Sequence, residues 1–232
     1  MNTIDVCLTP DLMHLYSVTD RSVVVVDIFR ATSCMVTALA NGVASITPFA
    51  NLEECRAMKA KGYQTAGERD GQKVDGFDHG NSPFEYMTDG VKGARIAFTT
   101  TNGTQAIAKS LGAREIIIGS FLNLSAVAGH LMQQGNNVLI VCAGWKGKFN
   151  LEDTLFAGAL TSLLEGEFTP ECDAPLAAER LYLAAKNDLK ASLANASHVK
   201  RLAKLNVIKD IEFCLTKDMY NVVPVLIDGV LM

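Results

Sequence analysis

The chain has 232 residues, of which 49% are hydrophobic and 20% charged, and its net charge is −4. That length and composition describe a globular protein with one large domain or two closely joined lobes, and the charge excludes general attraction to nucleic acid. With no Lys/Arg-rich run to offset the acidic balance, an anionic partner must be met by local positive groups or by a metal.

Apolar runs near 3–8, 22–29, 45–50, 63–67, 94–100, 115–119 and 137–143 read as strands. Helical patterns lie between them at about 31–41, 51–61, 103–111 and 123–134, ending at the glycine stops Gly42, Gly62, Gly112 and Gly135. Such alternation predicts an α/β fold, with a largely parallel or mixed sheet flanked by helices. Residues 69–93 interrupt it with a long stretch rich in Gly, Asp, Asn and Pro, of the kind that more often serves function than idles. After 151 the pattern turns helical, over 151–164, 175–194 and 197–205. Val222-Val223-Pro224-Val225-Leu226-Ile227 then reads as an edge strand, because Pro cannot donate to a central ladder. Any lobe boundary within the single domain 1–232 is expected near 145–175.

Nowhere does an apolar run approach the ~18–20 residues of a membrane span, and Met1-Asn2-Thr3-Ile4-Asp5 lacks the pattern of a signal peptide. The six cysteines form no C-x-x-C pair, and several sit in apolar runs. Reduced, structural thiols in a cytoplasmic protein are therefore expected.

Two strand-to-helix turns carry the most chemical information: Val26-Asp27-Ile28-Phe29-Arg30-Ala31-Thr32-Ser33 and Thr99-Thr100-Thr101-Asn102-Gly103-Thr104. N–H groups at a helix start are unpaired and lie at the positive end of the helix dipole, so such a turn readily holds an anion. Asp27 at a strand end can bind metal or substrate, or it can simply cap the next helix. Arg30 beside it requires a carboxylate or phosphate partner. The long loop adds Glu68, Arg69, Asp78, His79, Asn81 and Ser82, and Leu151-Glu152-Asp153-Thr154 opens a helix with two acids. Those acids suit the dipole, and they also suit Mg²⁺. Together the pattern points to phosphate chemistry.

Other phosphate chemistries do not fit. Cys142-Ala143-Gly144-Trp145-Lys146-Gly147-Lys148 ends on lysine where a cysteine phosphatase needs arginine, and no Asp-x-Asp follows the valine strand. Gly144-x-x-Gly147-Lys148 has the wrong spacing for a nucleotide loop. The histidines (His14, His79, His130, His198) lack zinc-ligand spacing. Only His79 is a candidate for proton transfer, the other three reading as surface or core residues of helical segments.

In this order, the motifs resemble the 2-phosphosulfolactate phosphatase family of coenzyme M biosynthesis. The resemblance rests on 27–33, Gly67-Glu68-Arg69, Gly76-Phe77-Asp78-His79-Gly80-Asn81-Ser82-Pro83, 99–104, Cys142-Ala143-Gly144 and 151–154, with Val222-Val223-Pro224 also fitting. It implies an α/β Mg²⁺-dependent acid phosphatase converting 2-phospho-3-sulfolactate, or a related 2-phospho acid, to 3-sulfolactate and phosphate. On that basis Mg²⁺ is expected on Asp27, helped by Glu68 or the Glu152/Asp153 pair. Arg30, Thr32, Ser33, Thr100, Thr101, Asn102, Gly103 and Thr104 would cradle phosphate oxygens, and Arg69 with Asn81 and Ser82 would hold the sulfonate or carboxylate end. The partner is then a small phosphorylated anion, with self-association left open. The rival expectation is a non-catalytic anion-binding or regulatory protein on the same scaffold, against which the clustered acids argue, since without a metal they would repel phosphate.

Overall fold

The computed structural model describes residues 1–205 and 207–232. In chain order the elements are β1 (Asn2–Cys7), β2 (Arg21–Val26), α1 (Ala31–Ala40), β3 (Ser45–Pro48), α2 (Leu52–Ala57), β4 (Gln64–Arg69), β5 (Gln72–Lys73), β6 (Arg95–Thr99) and α3 (Gly103–Lys109). They continue with β7 (Glu115–Gly119), α4 (Leu124–Gln134), β8 (Asn137–Cys142), α5 (Leu151–Leu163), β9 (Phe168–Pro170), α6 (Asp173–Ala185), α7 (Leu189–Leu193), α8 (Ser197–Ala203) and α9 (Ile208–Cys214). A closing hairpin joins β10 (Leu226–Ile227) to β11 (Val230–Leu231).

The strands form two sheets. The first, in the order β7-β2-β8-β1-β9, is parallel throughout. The second runs β10-β11-β3-β6-β4-β5, with β3, β6 and β4 parallel and both edges antiparallel. The valine strand shows why the first sheet is central. Val23 and Val25 enter one apolar core while Val24 and Val26 enter another, so the strand is buried on both faces. One core lies between the two sheets and is filled by α1 and α3; the other packs α4, α5 and the C-terminal helices on the far face. A smaller cluster around Cys55, Val74, Phe77 and Ala97 seats α2 on the outer face of the second sheet.

The chain passes between sheets through α1, through α3 and again through α6–α9, whereas β8 and β9, on either side of most of 145–175, belong to the same sheet. The expected helix over 175–194 breaks into α6 and α7, where Asp188 caps α7 through the Ala191 N–H. Residues 208–214, given no element from sequence, form α9. The 222–227 segment is strand only at its end, but the Pro224 carbonyl accepts from the Ile118 N–H, so it still borders the edge strand β7. Within 69–93 lie β5 and two short 3-10 turns. Among the described residues, no helix is long and apolar enough to cross a membrane.

β2 and β8 are neighbours, yet α1 leaves to one face of the sheet and α5 to the other. A crevice therefore opens outside their carboxyl ends, the place where α/β sheets bind ligands.

Candidate active site

The turn after β2 ends its strand with Asp27, buried at the mouth of that crevice. The Thr32 hydroxyl donates to the Asp27 carbonyl at 2.9 Å and accepts from the Asp27 N–H at 3.0 Å. Ser33 Oγ donates to the Ile28 carbonyl at 2.9 Å. Both hydroxyls thus hold the turn's own backbone. Arg30, also buried, donates to Asp210 of α9 and to the Gly71 carbonyl, while its Nε has no partner among the described residues. The Phe29–Arg30 peptide is cis.

The turn after β6 repeats the device. Thr104 Oγ1 donates to the Thr100 carbonyl and accepts from its N–H, and Thr100 Oγ1 accepts from the Thr104 N–H. Gly103, the first residue of α3, lies so close to the first turn that a Cβ there would stand 2.9 Å from Asp27 Oδ2 and 2.7 Å from the Ala31 Cβ. Glu68, at the end of β4, accepts from the Thr101 N–H at 2.7 Å and the Gly71 N–H at 2.6 Å. Glu68 thereby ties together the ends of β4 and β6, neighbours in the second sheet.

The third turn follows β8. Gly144 adopts a positive φ of 59°, and a Cβ would meet the Lys148 carbonyl at 2.4 Å, so the tight 145–148 turn requires glycine. Asn102 Oδ1 accepts from the Lys146 N–H. From α5, Asp153 accepts from Ile28 N–H at 2.9 Å and Gly144 N–H at 3.0 Å, clamping the turns after β2 and β8. Glu152 is fully buried; its Oε1 lies 2.5 Å from His198 Nδ1, and its Oε2 has no partner among the described residues. Asn150 Nδ2 also approaches Nδ1, at 3.3 Å. The shorter contact implies Nδ1–H donating to Glu152, which leaves Nε2 for other work.

Asp27, Phe29, Arg30, Glu68, Gly71, Asn81, Asn102, Trp145, His198 and Leu202 surround a cavity of about 20 Å³, room for a water molecule or a single ion. It adjoins a larger pocket of about 280 Å³ through the shared residues Gly71, Trp145, His198 and Leu202. Burial pushes the Asp27 carboxyl up to about 7, with Glu68 and Glu152 adding to the rise and His198 opposing it. Burial and the neighbouring Glu152 likewise hold Asp153 well above the usual carboxylate range. Among the described residues, no three His, Cys, Asp or Glu side chains stand close enough to form a closed ligand set. The donors are nevertheless hard oxygens: Asp27 and Glu68 line the cavity with Asn81, whose buried Oδ1 has no partner among the described residues. Mg²⁺ needs only one or two carboxylates, because it keeps most of its water.

The expected residues therefore divide. Asp27, Arg30, Glu68, Asn81 and Asn102 meet at the cavity, with Gly103 against Asp27. Thr32, Ser33, Thr100 and Thr104 spend their hydroxyls on backbone groups, although the buried Thr101 Oγ1 has no partner among the described residues. Arg69 is not brought there: it donates to Thr99 Oγ1 and the Glu68 carbonyl, because alternation along β4 sends residues 68 and 69 to opposite faces. Ser82 precedes a short 3-10 turn without capping it through its side chain. His79 bonds Gln64 and packs beside Tyr86, outside the cavity lining. His198, Trp145 and Asp210 reach the site from segments in which sequence reading marked no function. The one available signal was that Trp145 is the sole tryptophan.

An acidic cavity at the switch point of a parallel sheet, bounded by helix starts and a buried arginine, is the arrangement of an α/β enzyme acting on a small anion. The 2-phosphosulpholactate phosphatase family model matches residues 7–229, and the chain belongs to that family of phosphoric monoester hydrolases. Among similar proteins, a probable 2-phosphosulfolactate phosphatase of Thermotoga maritima is 45% identical over 210 residues, covering 90% of this chain and 91% of that one. That of Thermotoga petrophila is 44% identical over the same length and coverage. The probable 2-phosphosulfolactate phosphatase of Clostridium acetobutylicum is 38% identical over 231 residues, covering 97% and 98%.

Proposed function

We propose that the protein is a Mg²⁺-dependent phosphatase that hydrolyses 2-phospho-3-sulfolactate to 3-sulfolactate and phosphate. The observation that carries this reading is the position of Asp27, an acid at a strand end held in an anion-competent turn, beside Arg30 and two further carboxylates. Without a cation, three neighbouring acids would repel a phosphate ester. A carboxyl that burial and like charges push up to about 7 is one that a divalent ion would keep ionised. Asp27 would hold the ion, with Glu68 and Asn81 within reach of its water shell. When bound, Mg²⁺ offsets charge on the phosphoryl oxygens and acidifies a bound water.

The chain's own groups supply the rest. Arg30, fixed by Asp210 and Gly71, lines the cavity, where its positive charge would offset developing negative charge. His198, oriented by Glu152, is placed to move a proton through Nε2. Water attacks phosphorus, the bond from phosphorus to the C2 oxygen breaks, and that oxygen takes up a proton to become the hydroxyl of 3-sulfolactate.

Phosphate release from 2-phospho-3-sulfolactate, measured with and without Mg²⁺ after chelation, tests the reading. Activity is expected only with the metal, and Asp27→Asn should lower kcat by about a hundredfold or more with little change in Tm. Full activity in metal-free protein would remove Mg²⁺ from the account. No release from any 2-phospho acid would leave the non-catalytic anion binder.

A further inference from the structure

His198, buried in the first turn of α8, is held on several sides by groups that come from elsewhere in the chain. Its Nδ1 is turned to Glu152 Oε1, and Glu152 does not itself line the Asp27 cavity. His198 does line it, so the ring meets the cavity with the opposite edge, the one that carries Nε2. Nε2 has no hydrogen-bond partner among the described residues. Two aromatic rings pack beside the imidazole: Trp145, 5.6 Å between centroids at 41°, and Phe29, 6.0 Å at 70°. Trp145 is fixed in turn. Its N–H and carbonyl pair with Lys148 across the tight turn, and the Arg201 guanidinium lies 4.5 Å from the indole centroid.

The start of α5 sets all three neighbours. Glu152 supplies the hydrogen bond, while Asp153 accepts from the N–H groups of Ile28 and Gly144, the residues just before Phe29 and Trp145. A ring seated this firmly needs little reorganisation when a proton moves. The proton is needed because the oxygen leaving from C2 is an alkoxide, a poor leaving group until protonated. Of the other groups around the cavity, Arg30 cannot release a proton, and Asp27 and Glu68 face the cation in the reading above.

We infer that His198 is the proton donor to the leaving C2 oxygen, and that Trp145 is the positioning residue that holds its ring for that step. This assignment rests on the phosphatase reading. As the bond from phosphorus to the C2 oxygen breaks, that oxygen takes the Nε2 proton, and the electron pair of the N–H bond stays on nitrogen. The attacking water leaves both its protons on the phosphate, which then returns one to Nε2. Nδ1–H stays on Glu152 throughout, and the carboxylate offsets the charge of the imidazolium.

The test uses the full-length protein with Mg²⁺, its His198→Gln, Trp145→Ala and Trp145→Phe variants, and Lys200→Ala, an exposed neighbour on α8, as control. Phosphate release is followed from 2-phospho-3-sulfolactate and from acetyl phosphate, whose carboxylate leaving group needs no proton. His198→Gln should lower kcat on the phospho acid by about a hundredfold or more with KM little changed, and by less than about threefold on acetyl phosphate. Trp145→Ala should follow the same pattern at about tenfold or more, and Trp145→Phe should recover most of the loss. NMR of the His198 ring reads its Nδ1–H bond to Glu152 without turnover: the signal should persist in Trp145→Phe and be lost in Trp145→Ala. Equal losses on both substrates would overturn the assignment, because a structural or binding role does not depend on the leaving group. Normal kcat on the phospho acid in His198→Gln or in Trp145→Ala would overturn it too. Wild-type protein that releases phosphate from neither compound would overturn the phosphatase reading instead, while a ring signal that still depends on Trp145 would keep the seat of His198.

Discussion

Gly103→Ala is the sharpest probe of how the two turns position Asp27. The new Cβ would sit 2.9 Å from Asp27 Oδ2, 2.7 Å from the Ala31 Cβ and 3.2 Å from Thr100 Oγ1. Restoring ordinary contact moves the carboxylate by about 0.5 Å and the Ala31 methyl by about 0.7 Å. Overpacking of that kind costs about 1–3 kcal/mol. Alanine's advantage over glycine in a helix returns about 0.5–1 kcal/mol. The net loss of at most about 2.5 kcal/mol corresponds to a Tm lower by no more than about 10 °C for a chain of this size. Activity should suffer more, because displacing a reacting group by up to about 1 Å costs as much as a hundredfold. Phosphate-release kinetics and thermal unfolding of the same preparation read both quantities. Gly129→Ala is the control: it lies within α4 with open space around its Cβ, and should keep activity while gaining about 0.5–1 kcal/mol. Gly103→Ala with normal kcat would show that Asp27 does not need the seat these turns give it.

Two further outcomes follow from buried and local charges. Asp210→Ala strands the buried Arg30 guanidinium and should cost about 3–5 kcal/mol, or about 6–20 °C in Tm, whereas Arg30→Met with Asp210→Leu should recover most of that; a loss below about 1 kcal/mol in chemical denaturation would refute the pairing as a stabilising contact. Asp78 experiences burial that raises its pKa, but bonds from Lys59 and from the Thr65 N–H and hydroxyl win and hold it at about 2, below its ordinary 3.8. Its stabilisation is therefore full above 3.8 and is lost as pH falls through about 2, so the stability gap between wild type and Asp78→Ala should close in that window; a gap unchanged down to pH 2 would contradict the assignment.

Much of the site was readable before folding was considered. Asp27 follows four valines, and a carboxylate at the end of a buried strand is a recognisable ligand position in an α/β protein. Glu68 and Asn81 were readable as polar residues of a long irregular stretch. Arg69 was read in the same stretch, and only the extension of β4 to residue 69 sends it and Glu68 to opposite faces. The spacing of Thr32 from Asp27 and Thr104 from Thr100 was also visible, but whether a hydroxyl serves a ligand or its own turn depends on backbone geometry.

Local patterning by itself determined the αβ alternation, the strand carrying Asp27 and the two helix starts, because burial periodicity and capping act between residues near in sequence. It could not separate one sheet from two, since strand order depends on which crossover packs against which face. Nor could it bring in His198 and Asp210. They lie on short helices of the last third whose local sequence carries no ligand pattern, and only packing over the first sheet's far core carries them to the carboxyl ends of β2 and β4. Glu152 and Asp153 make the same point: at a helix start both simply suit the dipole, and only tertiary contacts make one a clamp on two turns and the other the partner of a histidine.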